Sequence, residues 1–313
     1  MKKNILAFGE VLWDIMPNET ILGGAPFNFA YRVNTLGDNG FMVSRLGNDE
    51  LGKKAFTQIQ HLGLDPAFIQ WDNHWSTGTV KVSLDENNNP DYVIIPDVAY
   101  DYVELTPALL DVVESADCLG FGTLAQRNET SRRTLEKLLE HGAHALKFLD
   151  INLRKNCYNL NTVNSSLQAA TVLKLNEDEV WQLRKLLKLN FQTLPQFCEI
   201  MLEEWALDCC VITLAEKGAF AASNQGKQVY EPGYHINKVD SLGAGDAFSA
   251  GFIHKLLRQK SLKAACQFGN ILGALIATTP GATTSIPSER IDQMLNQPPE
   301  RLMAKEFETY LTE

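Results

Sequence analysis

The chain has 313 residues, 45% of them hydrophobic, which is enough for one large buried core. Acidic residues (38) outnumber basic ones (28), giving a net charge of -10 with no basic run. This excludes nucleic acid and anionic membrane surfaces as main partners. Any phosphate site must be built locally, from backbone dipoles and a few cations.

Met1-Lys-Lys-Asn-Ile-Leu-Ala-Phe8 has no long apolar segment and reads as a strand, not a signal peptide. No apolar run approaches the length of a membrane span. Cys118, Cys157, Cys198, Cys209, Cys210 and Cys266 show no metal spacing and are expected as reduced thiols of a cytoplasmic protein.

Residues 4–8 are a short apolar run stopped by Gly9, the pattern of a buried parallel strand. Asp14 follows among Val11, Leu12, Trp13, Ile15 and Met16. It either faces a polar cavity or is a surface acid on an alternating strand. Gly23-Gly-Ala-Pro-Phe-Asn28 is a small-residue loop expected to open a helix over 29–36. Its glycines let a ligand approach closely, and Asn28 offers a donor and an acceptor to a sugar hydroxyl; a plain turn has the same sequence. A strand at 42–46, a turn at 47–52 and a helix at 53–62 come next. Residues 79–84 then alternate, 86–90 form a turn and 92–95 answer it, a hairpin with one apolar face. Such an excursion suits a lid over a site. With the strand around Asp14 it makes a small sheet, from excursions over about 11–26 and 76–103 of one α/β domain spanning 1–313.

Alternation resumes with helices at 107–116, 130–141, 162–170, 177–188 and 194–206 and strands at 118–121, 145–149, 172–175 and 211–214. This order implies a mostly parallel sheet wrapped by helices, with ligands at the carboxyl ends of its strands. Polar residues fall at those ends. Arg154 is either an anion ligand or half of a surface ion pair. Asn176 with Glu179 is a capping-box pattern. Thr213 to Gly218 reads equally as a hairpin turn. Asn270, inside an apolar helix over 262–279, must pair with backbone or with a purine base.

Asp240-Ser-Leu-Gly-Ala-Gly-Asp246 precedes an amphipathic run with Phe248, Phe252 and Leu256 on one face and His254, Lys255 and Arg258 on the wet side. Gly243, Ala244 and Gly245 therefore lie at a helix N-terminus, where unpaired N–H groups and the helix dipole favour a phosphate. Asp246 either caps that helix or acts as a general base toward a hydroxyl attacking the phosphate.

Taken together, the Gly23–Asn28 and Asp240–Asp246 motifs and the βαβ order between them resemble the ribokinase/PfkB family of carbohydrate kinases, fructokinases most closely. The likeness covers essentially the whole chain. It implies a ribokinase-like α/β fold with a β-sheet lid. It also implies a kinase that passes the γ-phosphate of ATP, with Mg²⁺, to a primary hydroxyl of a ketose, fructose foremost. Another sugar acceptor such as 2-keto-3-deoxygluconate or ribose, or a non-catalytic sugar sensor, is the alternative, and Arg32 beside Arg154 would suit an acidic sugar. By the resemblance Asp246 is the base, and Gly243, Ala244 and Gly245 are the anion hole. Asp14, Gly24, Asn28 and Arg154 hold the sugar. Asn176 and Glu179 set Mg²⁺ and phosphates through water, and Thr213, Glu216, Gly218 and Asn270 take the nucleotide. A potassium ion would rest on carbonyls of Asp240, Leu242, Ile276, Thr279, Gly281 and Ser285. Ser241 stands for the usual Thr, Leu242 is bulkier than in some relatives, and Ala215 replaces a common Gly, so its φ is expected to be negative. No Gly-x-Gly-x-x-Gly follows the first strand, which sets a dinucleotide-binding oxidoreductase aside. Pairing two lids across a dyad would cover their edges and give a homodimer.

Overall fold

The computed structural model describes residues 1–16, 19–84 and 90–311. Strand β1 (Asn4–Phe8) is buried beyond its first residue and runs parallel to both neighbours, as its unbroken apolar run requires. β2 (Leu12–Ile15) and β3 (Thr20–Gly23) form an antiparallel pair. Helix α1 (Ala25–Thr35) starts at Ala25, not at Phe29, because Pro26 fits the first helical turn, so Asn28 lies inside the helix. β4 (Asn39–Gly47), α2 (Glu50–His61) and β5 (Ile69–Asp72) follow; β5 was too short to announce itself. β6 (Gly78–Leu84) pairs parallel with β2, setting Asp14 opposite Val80, and antiparallel with β7 (Pro90–Ile94). These strands make the expected small sheet, in the order β3-β2-β6-β7. The turn expected at 86–90 falls outside the described residues up to Pro90.

α3 (Pro107–Glu114), β8 (Cys118–Phe121), α4 (Glu129–His141), β9 (Leu146–Asp150), α5 (Leu160–Ala169), β10 (Val172–Asn176), α6 (Glu177–Leu187), α7 (Leu194–Glu204) and β11 (Cys209–Thr213) alternate as expected. β12 (Ala219–Ser223) and β13 (Gln228–Glu231) add an antiparallel edge. The large sheet runs β13-β12-β11-β10-β9-β8-β1-β4-β5, parallel from β11 onward. Strand alternation splits the core in two. Leu6, Phe8, Leu149 and Ile212 pack on one face, and Ile5, Ala7, Phe148 and Val211 on the other. Each such side chain contributes roughly 1.5–3 kcal/mol on burial.

After β14 (Gly233–Tyr234) come α8 (Ala244–Leu256) and α9 (Leu262–Ala277). They press together because glycine leaves room: a Cβ on Gly269 would sit 2.8 Å from the Phe248 ring. The wet side expected for α8 is half-buried. His254 and Arg258 both reach the buried Asp38, at 2.8 and 2.6 Å, and Lys255 lies 4.1 Å over the Phe268 ring. α10 (Ser288–Asn296) and β15 (Arg301–Leu302), which pairs with β14, close the chain. All six cysteines are buried. Among the described residues no helix is long and apolar enough to cross a membrane.

Candidate active site

Gly243 is the residue that caps the start of α8, and its φ of +74° is left-handed; a Cβ there would lie 2.4 Å from that of Ala282, so glycine is needed twice over. The Ala244 N–H donates to the Ser241 carbonyl at 3.2 Å. This leaves the N–H groups of Gly243 and Gly245 for an anion. Asp246, in the first turn, does not cap the helix. Its Oδ2 accepts from Asn28 Nδ2 at 2.8 Å, joining two motifs 218 positions apart. Asn28 is buried, and its Oδ1 has no partner, an acceptor left for a ligand hydroxyl. Burial, with Asp150 close by, pushes the Asp246 carboxyl up to about 6, against the pull of Asn28, Lys174 and Arg154.

Three residues here escaped sequence reading. Lys174 on β10 is 7% exposed, and its Nζ lies 3.1 Å from both oxygens of Asp150. Asp150 Oδ2 also accepts from Ser249 of α8 at 2.9 Å. A Cβ on Gly245 would be 3.4 Å from that ammonium, so a buried cation sits beneath the first turn of α8. Burial alone would lower the Lys174 pKa, but Asp150, Glu179 and Asp246 outweigh it and leave it raised. The third is Glu10, directly after Gly9. Burial raises its carboxyl to about 7, with Asp246 adding to the rise and Arg154 opposing it. Its signal was a carboxylate at the end of a buried strand; Lys174 gave only a lysine in an apolar strand.

Gly24 has φ +116°, and a Cβ there would be 2.3 Å from the Glu10 carbonyl. A Cβ on Gly23 would meet Asp14 Oδ2 at 3.2 Å. Asp14 is half-buried, and burial raises its pKa while Arg154 opposes. Arg154 is exposed, and its charge opposes the rise in the pKa values of Glu10, Asp14 and Asp246. Arg32 is not part of this group: its guanidinium is buried and donates to the carbonyls of Ala282 and Thr284. Glu10, Asp150 and Asn152 line a small cavity together with Ala25, Pro26 and Phe29 of α1.

On the other side of the α8 N-terminus a cavity of about 420 Å³ is lined by Thr213, Glu216, Gly218, Ala244, Gly245 and Asn270. That volume is in the range of small-molecule sites. The four residues expected on the nucleotide side thus share one cavity with the α8 N-terminus. Asn270 Nδ2 donates to the backbone carbonyls of Glu231 and Pro232 at 2.9 and 3.3 Å, the backbone pairing that sequence left open. Ala215 has φ +51°, against expectation. The tight turn, with Leu214 N–H on Gly218 O and Lys217 N–H on Leu214 O, imposes the left-handed backbone, at a cost of roughly 1–2 kcal/mol for a residue with a Cβ.

Residues 3–289 match the family model described as pfkB family carbohydrate kinase. The chain belongs to this family. An uncharacterized sugar kinase of Pyrococcus horikoshii is 29% identical over 294 residues, 91% of this chain and 88% of that one. Its structure in complex with ATP superposes with a TM-score of 0.78 over 94% of this chain and 98% of that chain. Fructokinase-1 of Oryza sativa is 27% identical over 321 residues, 91% of this chain and 95% of its own. The 2-dehydro-3-deoxygalactonokinase of Haloferax volcanii is 24% identical over 316 residues, 94% and 97% of the two chains. The protein is therefore a PfkB carbohydrate kinase with a ribokinase-like fold.

Mg²⁺ in such a kinase needs oxygen ligands. Asn176 and Glu179 form the capping box read from sequence. Asn176 Oδ1 accepts from Glu179 N–H at 2.9 Å, and Glu179 Oε2 from Asn176 N–H at 2.8 Å. Glu179 Oε1 accepts from Leu153 N–H at 2.9 Å. With both oxygens engaged, Glu179 fits a metal-bound water better than the ion itself. No cluster of three or more His, Cys, Asp or Glu that could hold a metal occurs among the described residues. Replacing Asn176 by Ala is expected to cost about 1 kcal/mol of stability, read from the urea midpoint. An unchanged KM for MgATP in that variant would assign Asn176 to capping alone.

For potassium, Asp240 Oδ2 accepts the Gly281 N–H at 3.1 Å and its Oδ1 the Leu242 N–H at 3.0 Å, which brings the two segments together. The Ile276 carbonyl already accepts from the N–H and the hydroxyl of Thr279. It is the weakest of the six proposed donors; Thr279, Gly281 and Ser285 belong to the adjoining loop.

Proposed function

We propose that this carbohydrate kinase transfers the γ-phosphate of ATP to a primary hydroxyl of a ketose, fructose foremost, with Asp246 as general base. The observation that carries this reading is the Asn28–Asp246 hydrogen bond at the N-terminus of α8. On this reading Asp246, with a pKa of about 6, is the proton acceptor between a sugar-side helix and an anion-binding helix terminus. Asp14, Gly24, Asn28 and Arg154 hold the sugar, the orphan Oδ1 of Asn28 taking one of its hydroxyls. Asp246 withdraws the proton as the sugar oxygen attacks in line. The N–H groups of Gly243 and Gly245 and the dipole of α8 take up charge on the transferred group. Mg²⁺, when bound, would screen the phosphates. The small sheet acts as a lid that keeps water out, and a dimer would form by pairing two lids.

A neutral ketose is favoured over a sugar acid because, of the two arginines considered for an acidic group, Arg32 is committed to backbone carbonyls and only Arg154 acts on Asp14. The test is ADP release from MgATP with fructose, ribose, 2-keto-3-deoxygluconate, glucose and adenosine. The expected result is the highest kcat/KM with fructose. A lead for 2-keto-3-deoxygluconate would keep the kinase and remove the ketose assignment. Silence across the panel with ATP still bound would favour a non-catalytic, sugar-sensing protein.

A further inference from the structure

Arg32 is 1% exposed, yet among the described residues no carboxylate meets it. A buried guanidinium is costly unless its donors are used. Its Nη2 donates to the Ala282 carbonyl at 3.1 Å and the Thr284 carbonyl at 3.0 Å, and its Nη1 is buried without a partner. Burial lowers its pKa to about 10, so the group stays charged at neutral pH.

Its place gives this arrangement a use. Arg32 lies one helical turn beyond Asn28 on α1, hence on the same face. The helix that holds Asp246 through Asn28 therefore also holds the 282–284 segment through Arg32. That segment is wedged against the phosphate-side turn. The Ala282 methyl packs where a Cβ of Gly243 would be, and the neighbouring Gly281 N–H is tied to Asp240. A methionine would fill the same volume but leave the two carbonyls without donors.

We propose that Arg32 is a positioning residue for the phosphoryl group: through the carbonyls of Ala282 and Thr284 it seats Ala282 against Gly243 and fixes the direction of the Gly243 and Gly245 N–H groups. This rests on reading the α8 N-terminus as the site of the transferred phosphoryl. Calorimetric titration of MgADP alone, and of MgADP with beryllium fluoride as a mimic of the γ-phosphoryl, tests it without any sugar. In the unaltered protein the fluoride should tighten ADP binding about tenfold or more, whereas Arg32→Met should keep the affinity for ADP alone and lose most of that gain. Arg32→Lys, with the charge but not the fork, should fall between, and it serves alone if Arg32→Met does not fold. A full fluoride gain in a folded variant would overturn the proposal. So would equal losses with and without fluoride, the mark of a merely structural role. No gain in the unaltered protein would remove the phosphoryl reading itself, and the proposal with it.

Discussion

Asp246→Asn is expected to lower kcat by about 10²-fold or more, the order of a lost general base. Binding of sugar and MgATP should change little, because the amide keeps the shape of the side chain and can still face Asn28. The pH dependence gives an independent reading. Burial holds the Asp246 carboxyl at about 6. Above that value it is a carboxylate and can take the proton; below it, it is already protonated. In the unaltered enzyme kcat/KM should therefore fall as pH drops through about 6, and the residual rate of Asp246→Asn should lack that limb. Asp246 stands close enough to raise the Glu10 carboxyl, to about 7, and Glu10 therefore still holds its proton when Asp246 titrates near 6, so Glu10→Gln should leave the limb in place. Steady-state rates from about pH 5 to 8 decide the matter. An Asp246→Asn enzyme with full kcat, or one that keeps the acid limb, would remove Asp246 from the chemistry.

The two glycine motifs were legible because their chemistry is local. Small residues before an amphipathic run point to an exposed helix terminus, and the αβ alternation indicated which strand ends should carry ligands. What each side chain touches was less legible. Nothing near Asn28 announces Asp246, and the capping alternative for Asp246 fell only to their hydrogen bond. Lys174 could not be found, because its partners come from β9, α8 and α6, which meet only when the sheet forms. Arg32, offered from sequence only as a second cation for an acidic sugar, was hard to place for the same reason: its acceptors lie 250 and 252 positions away. Ala215 shows another limit, since the turn between two paired strands overrode the backbone preference of its residue.

Lys174→Met is expected to destabilise the fold by roughly 3–5 kcal/mol, the order for removing one partner of a buried ion pair. The ammonium meets both oxygens of Asp150, and its charge also favours the ionised forms of Glu179 and Asp246. Methionine fills the space but leaves these carboxylates uncompensated, and Ser249 can satisfy only one oxygen of Asp150. The sign with pH follows. Without the lysine the already raised pKa values of Glu179 and Asp246 rise further, so the folded variant binds protons that the unfolded chain has released. Its stability should thus fall as pH rises from about 4.3, the unfolded glutamate value, through the raised folded values, and the deficit should be smaller near pH 5 than near pH 8. Urea denaturation at the two pH values measures this. The acid limb of kcat/KM should move up in the same variant, because Asp246 loses a stabilising charge. Adding Asp150→Asn to Lys174→Met should recover part of the stability by removing one orphaned carboxylate, and the coupling energy of that cycle isolates the pair. Simple additivity would mean that Lys174 acts through Glu179 or Asp246 and that its contact with Asp150 is incidental.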